Sequence, residues 1–195
     1  MKNKHTLNDF TTEELGQLFP IEIVPYNEKW ITLYLDEKNR IEKVLTNKVA
    51  LQIEHFGSTA VQGLASKPII DILVEIPTLT EPLKTFIINS MEKIGYQFIW
   101  RTDDNVPYMN FVKGYTLHGF EGNTYHVHVG DKNHSLWDRI CFRDYLRENK
   151  LIADEYAKLK IELAKTHKFN RENYTQAKTE FITKITNIAK QKYDK

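Results

Sequence analysis

The 195-residue sequence predicts an α+β fold, with a central mixed β-sheet flanked by helices and a C-terminal helical layer. Three observations carry this expectation. Helix-like and strand-like segments are interleaved up to about Asn133, and three helical stretches follow with no strand between them. The run from Pro68 to Ile76 is almost wholly apolar, the pattern of a strand covered on both faces. Hydrophobic residues make up 41% and charged residues 27% of the chain, ordinary for a folded domain with one sizeable core.

Residues Asn8 to Phe19 read as a short helix that Asn8 or Thr11 can cap, with Glu13 and Glu14 near its positive end. Ile21 to Val24 is a short strand stopped by Pro25. Asn27 opens a longer helix whose apolar positions are Trp30, Leu33, Tyr34, Ile41, Val44 and Leu45. Leu51–Phe56 and Ile69–Ile76 are strands, the second ended by Pro77. Thr80 to Ile94 is a helix closed by Gly95. Tyr96–Trp100 and Tyr108–Val112 alternate as antiparallel strands do, and Tyr125–Val129 is a further strand. Arg101–Pro107 and Gly114–Asn123 read as loops. The final helices span about 133–148, 152–167 and 171–192. Residues 1–20 thus form an N-terminal helical extension, 21–132 the α+β core and 133–195 a helical layer packed on it, with no linker between them.

Composition narrows the function. A net charge of +1, without interleaved basic and aromatic residues, argues against a nucleic-acid surface. The single cysteine, Cys141, excludes an internal disulfide framework and reads as a small core residue. The N-terminus has no apolar signal-peptide core, and no apolar run approaches the roughly 20 residues that span a bilayer. The expected location is cytoplasmic, with no membrane partner.

The chemistry concentrates in His55-Phe56-Gly57-Ser58-Thr59 and the strand that follows. A Gly-Ser turn lets backbone amides approach an anion closely, because glycine has no side chain to block it. Asp71 is a carboxylate in an apolar strand, costly there unless it meets a metal, a cation or several donors. Pairing with Lys67 or an arginine is the alternative use of that carboxylate. His126 and His128, two apart on a predicted strand, share one face and suit metal binding, proton transfer or phosphate contact. His55, just before the turn, is a third imidazole, and the four side chains form a candidate cluster. The histidines His5, His118, His134 and His167 read as solvated. Arg139, Arg143 and Arg147 are spaced by four and form one stripe, able to hold phosphate oxygens or to pair with Asp144 and Glu148. Lys67 lies beside the turn. Lys158, Lys160, Lys178 and Lys184 follow on later helices, where most lysines are surface residues. Ser58 has no Asp-His relay in the sequence and reads as a phosphate-binding hydroxyl.

The stretch His55-Phe56-Gly57-Ser58-Thr59-Ala60-Val61, with Gly63-Leu64 and Lys67-Pro68-Ile69-Ile70-Asp71-Ile72, resembles the GrpB family of bacterial proteins. So do Tyr125-His126-Val127-His128-Val129, Phe142-Arg143-Asp144-Tyr145-Leu146-Arg147 and Tyr174 with Ala177-Lys178. The resemblance covers about residues 21–190. It implies a nucleotidyltransferase-like fold, in which a Gly-Ser turn follows a first strand and carboxylates on later strands hold two divalent ions. On that pattern Asp71 stands as the second acid, Ile69 takes the place of the first, and His126 and His128 stand where a third acid is expected. The implied protein binds a nucleotide or another phosphorylated small molecule with a divalent metal, Mg, Mn or Zn, and transfers a nucleotidyl or phosphoryl group. The alternative is an inactive ligand-binding or regulatory module. The expected catalytic and metal-binding residues are Asp71, His126 and His128. The expected substrate-binding residues are His55, Gly57, Ser58, Thr59, Lys67, Arg143 and Lys178.

Overall fold

The computed structural model describes residues 6–101 and 107–193. A 3-10 turn at Leu7–Asp9 precedes helix α1 (Thr12–Leu18), capped by Thr11, whose hydroxyl accepts from the Glu14 amide. The predicted strand at Ile21–Val24 is reduced to a single bridge between Val24 and Ser66. Ile21 instead donates its amide to the Lys168 carbonyl, so this segment ties the core to the C-terminal helices. Helix α2 is Lys29–Leu45, with the Asn27 carboxamide accepting from the Lys29 amide at its start.

The sheet has five strands, β1 (Gln52–Phe56), β2 (Ile69–Ile76), β3 (Gln97–Arg101), β4 (Tyr108–Thr116) and β5 (Gly119–Asp131), in the order β1-β2-β5-β4-β3. Only β2 and β5 pair in parallel, and helix α3 (Glu81–Glu92) lies in the crossover between them. One sheet face carries the main core. Ile70, Ile72, Val74 and Ile76 of β2 and Tyr125, Val127 and Val129 of β5 meet Trp30, Ile41 and Leu45 of α2 and Ile87 and Met91 of α3. Burial of these side chains is the main force holding the sheet to its helices. The alternate residues, Asp71 and Glu75 on β2 and His126 and His128 on β5, therefore face the other way.

The segment Gly114–Asn123, expected as a loop, is a β-hairpin. Thr116 pairs with Gly119, and the Thr116 hydroxyl donates to the Gly119 carbonyl across the turn. Its glycines suggest irregular backbone, but Gly114 (φ 89°) sits at a bulge between Lys113 and Tyr115, where a Cβ would lie 2.7 Å from the Asn123 carbonyl oxygen. The bulge aims Tyr115 toward β5. Of the expected loop Arg101–Pro107, residues 102–106 lie outside the described residues.

The helical layer comprises α4 (Asp138–Glu148), α5 (Lys150–Thr166), α6 (Arg171–Gln176) and α7 (Thr179–Tyr193). Phe142 and Leu146 of α4, Ala153 and Tyr156 of α5 and Ile185 of α7 form a second core with Val61 and Leu64, which follow the Gly-Ser turn. The helical layer thus grips the turn. Cys141 is half-buried rather than a core residue. His134 is buried rather than solvated, and its Nδ1 accepts from the Leu136 amide. Among the described residues no helix is long and apolar enough to cross a membrane.

Candidate functional site

The site starts at Gly57, the residue after β1. Its φ of 70° suits glycine, and a Cβ there would sit 2.4 Å from Asp71 Oδ2. The turn therefore lies directly on the Asp71 carboxylate. In the parallel register Asp71 stands opposite His126, and His126 Nδ1 is 3.5 Å from Asp71 Oδ1. The other ring nitrogen, Nε2, is 2.7 Å from the Tyr115 hydroxyl, which accepts in turn from Arg171 Nη2 at 3.1 Å. Burial lowers the His126 pKa, only partly offset by Asp71, so the ring stays neutral with a lone pair to offer. Asp71 itself is not buried: about a quarter of its side chain is exposed to the cleft.

Cations surround this carboxylate. Lys67 stands over the Tyr174 ring at 5.4 Å and Lys178 over the same ring at 4.2 Å. Burial brings the Lys67 ammonium down to about 7 and the Lys178 ammonium to about 8, and the Asp71 charge opposes both shifts. Lys160, on the buried face of α5, is only 2% exposed. Its Nζ donates to Ser58 Oγ at 2.9 Å and to the Ala65 carbonyl. Burial lowers its pKa to about 7, with Lys178 adding to the shift and Asp71 opposing it. Arg171 completes the group, holding the Phe19 carbonyl with Nη1 while Nη2 reaches Tyr115.

The structure thus brings together Gly57, Ser58, Lys67, Asp71, His126, His128 and Lys178 from the sequence-based set. Three others it turns away. His55 lies on the α2 side of β1, stacked on Tyr34 at 4.7 Å with Nε2 3.1 Å from the Thr59 hydroxyl. The alternation of β1 forces this, since Phe56 next to it takes the Asp71 face. Thr59 is fully buried, and its hydroxyl donates to the Ile69 carbonyl, tying the turn to β2. Arg143 is consumed by the fold. Its Nε and Nη2 hold both oxygens of Asp144, and its Nη1 holds Glu54 at 2.8 Å and the His55 carbonyl at 2.7 Å. The arginine of the stripe that reaches the cleft is Arg139, whose Nη1 is 3.2 Å from His128 Nδ1. The sequence reading passed over Arg171 and Tyr115, and it named Lys160 only among later lysines that are mostly surface residues, whereas Lys160 is buried. For Lys160 a signal existed: it falls on the stripe Ala153, Tyr156, Lys160, where helical spacing calls for an apolar residue.

Asp71, His126 and His128 each offer a ligand atom, all within 4.8 Å of one another. Two ligands about 2.1 Å from one ion are at most about 4.2 Å apart, so the full set must draw in slightly to share an ion. One carboxylate with imidazoles suits Mn or Zn better than Mg, which prefers an all-oxygen shell. Asp71 and His126 Nδ1 fit directly, and with an ion on Nδ1 the His126 Nε2–H would donate to the Tyr115 oxygen, the outer contact that metal-bound histidines need. His128 fits only when Arg139 withdraws. A guanidinium can only donate, so the present contact occupies the Nδ1 lone pair of His128.

A mixed five-stranded sheet backed by a helical layer, with a Gly-Ser turn after its first strand, is a nucleotidyltransferase-like α+β fold. A solved structure of the GLD-2/RNP-8 complex shares the fold, with a TM-score of 0.53 and 12% identity over 86% of this chain and 61% of that one. Residues 20–187 match the GrpB protein family, and the chain belongs to it. It is 40% identical over 166 residues to a UPF0157 protein of Pseudomonas aeruginosa, covering 85% of this chain and 66% of that protein's length. The crystal structure of the conserved protein GrpB from Enterococcus faecalis superposes with a TM-score of 0.77 at 31% identity, over 89% of this chain and all of that one.

Proposed function

We propose that the cleft between the Gly57–Ser58 turn and the helical layer binds a nucleotide or another phosphorylated small molecule with a divalent metal, and transfers a nucleotidyl or phosphoryl group. One observation carries this reading: Lys67, Lys160 and Lys178 converge on a single strand carboxylate with Arg171 beside them at Tyr115, a cluster of basic groups that suits a polyphosphate. Arg171 and Lys178 bind and orient the anion from the helical side, and Lys67 does so from the turn side. Asp71 and His126 would hold the ion, which when bound neutralises phosphate charge and polarises the phosphorus centre. Tyr115 fixes the His126 ring, and the Tyr174 ring backs the two lysines. A second reading, binding without turnover, is favoured by Ile69. This buried apolar side chain stands where the resembled superfamily carries an acid.

The test is a thermal-shift panel of ATP, GTP, CTP, UTP and inorganic triphosphate, each with Mg, Mn or Zn and each with chelator. Ligand at about 100 times its Kd would add about 2.7 kcal/mol to stability. The expected result is a rise in Tm that needs both phosphate and metal and is lost in Asp71→Asn. A flat panel across all ligands and metals would overturn the reading, and binding with no product on incubation would select the second.

A further inference from the structure

Lys160 is a buried cation with no carboxylate of its own. Its Nζ bonds are to Ser58 Oγ and the Ala65 carbonyl, and among the described residues no ion pair includes it. Burying an ammonium in that way is costly, and the cost falls away when the amine is neutral. Binding a phosphate does not require this arrangement. An exposed lysine would serve as well, and Lys67, Lys178 and Arg171 already line the same cleft. What the arrangement does supply is an amine nitrogen 2.9 Å from the hydroxyl oxygen of Ser58, a residue that is itself half-buried. The Tyr156 hydroxyl also lies against Ser58, and the Tyr156 ring is 4.8 Å from the Lys160 ammonium, so the amine is fixed from behind.

We propose that Ser58 and Lys160 form a nucleophilic dyad in which Ser58 Oγ bonds covalently to the phosphorus of the substrate, with Lys160 as its base. In the charged state Lys160 donates to Ser58. In the neutral state the bond reverses, and Ser58 O–H donates to Nζ. Attack then forms the Oγ–P bond and breaks the bond from phosphorus to its leaving group, which departs with the bonding electrons. The hydroxyl proton passes to Nζ, giving the ammonium. Neither an oxidant nor a second substrate is needed, and the product is a serine phosphoester that water or an acceptor hydroxyl later relieves. A lysine base in place of the usual histidine is chemically sufficient when its pKa is brought near neutrality. The groups that set the charge state of Lys160 are Asp71 on β2, Lys67 before it, Lys178 after α6, and Tyr156 on its own helix. This proposal rests on the phosphate reading of the cleft only for the identity of the substrate.

The experiment uses a fluorophosphonate, an electrophile at phosphorus with fluoride as leaving group, on the full chain, with the labelled residue located by peptide mass mapping. The expected result is a single adduct on Ser58. Its rate should rise with pH to a plateau, with a midpoint near the Lys160 value of about 7. Ser58→Ala should abolish the adduct. Lys160→Met should slow it by about 100-fold or more, the contribution of a general base. Melting curves check that both variants fold. If Lys160→Met does not fold, the site and pH profile of wild-type labelling decide alone. An unlabelled Ser58 in folded protein, labelling that does not change with pH, or a Lys160→Met protein that labels at the wild-type rate would each overturn the dyad. Labelling in a protein that no phosphorylated ligand stabilises would overturn the phosphate reading and leave the dyad standing. Metal-dependent nucleotide binding without labelling would do the reverse.

Discussion

At the residue scale, strand alternation decides which imidazoles meet Asp71. His126 and His128 are two apart on β5 and share the cleft face, whereas His55 takes the other face of β1 because Phe56 occupies the first. The buried ring of His55 has a pKa pulled down to about 4 by desolvation, with Arg147 and Arg143 adding to the shift and Asp71 opposing it. Its folded pKa lies below the ordinary 6.5, so the unfolded chain binds the extra proton between those values. The stability it contributes is present above about pH 6.5 and lost as the pH falls to about 4. The loss is on the order of 3 kcal/mol, at about 1.4 kcal/mol per unit of pKa. Urea denaturation of wild type and His55→Gln at a series of pH values should show that slope in the wild type and a shallower one in the variant. Equal slopes would refute the assignment. Asp71 was legible as a carboxylate inside an apolar run, with Glu75 nearer the strand end. The partial exposure of Asp71 was not, because exposure depends on the turn and helices around it.

At the scale of elements, the strand that carries Asp71 was readable to its ends. Pro68 precedes Ile69–Ile76 and Pro77 follows it, and the apolar run between them belongs to a central strand. The β4–β5 hairpin was not readable. Gly114, Gly119 and Gly122 suggest a loop, but their positive φ angles serve a bulge and a tight turn inside continuous strands. The arginine stripe on α4 was also visible, and its use was not. Spacing by four aligns Arg139, Arg143 and Arg147 on one face without saying what that face meets. Arg143 meets Glu54, Asp144 and the His55 carbonyl, and so locks α4 to β1. Arg147 donates twice to the Ala60 carbonyl and holds the segment after the turn. Arg143→Met should cost on the order of 3–5 kcal/mol, because it takes the guanidinium from Glu54 and Asp144 and leaves a buried carbonyl without its donor. Denaturant titration measures this. A cost below about 1 kcal/mol would return Arg143 to the role of an available phosphate ligand.

At the scale of the whole molecule, the site exists because the C-terminal helices fold back over the turn. Ser58 and Lys160 are 102 residues apart, and no local pattern reports such a pair. Tyr115, Arg171 and Phe19 come from three separate parts of the chain and meet beside His126. Sequence motifs marked one wall of the cleft, and tertiary packing supplied the cations of the other. The proposed site joins a phosphorylated ligand in this cleft to a divalent ion at Asp71 and His126. Its most direct test is a crystal grown with Mn and a non-hydrolysable nucleotide, with the ion located by anomalous scattering. The expected result is an anomalous peak bound by an Asp71 carboxylate oxygen and His126 Nδ1, with phosphate oxygens reaching Arg171 and Lys178. A bound nucleotide elsewhere on the protein, or a cleft without the ion at saturating Mn, would contradict it.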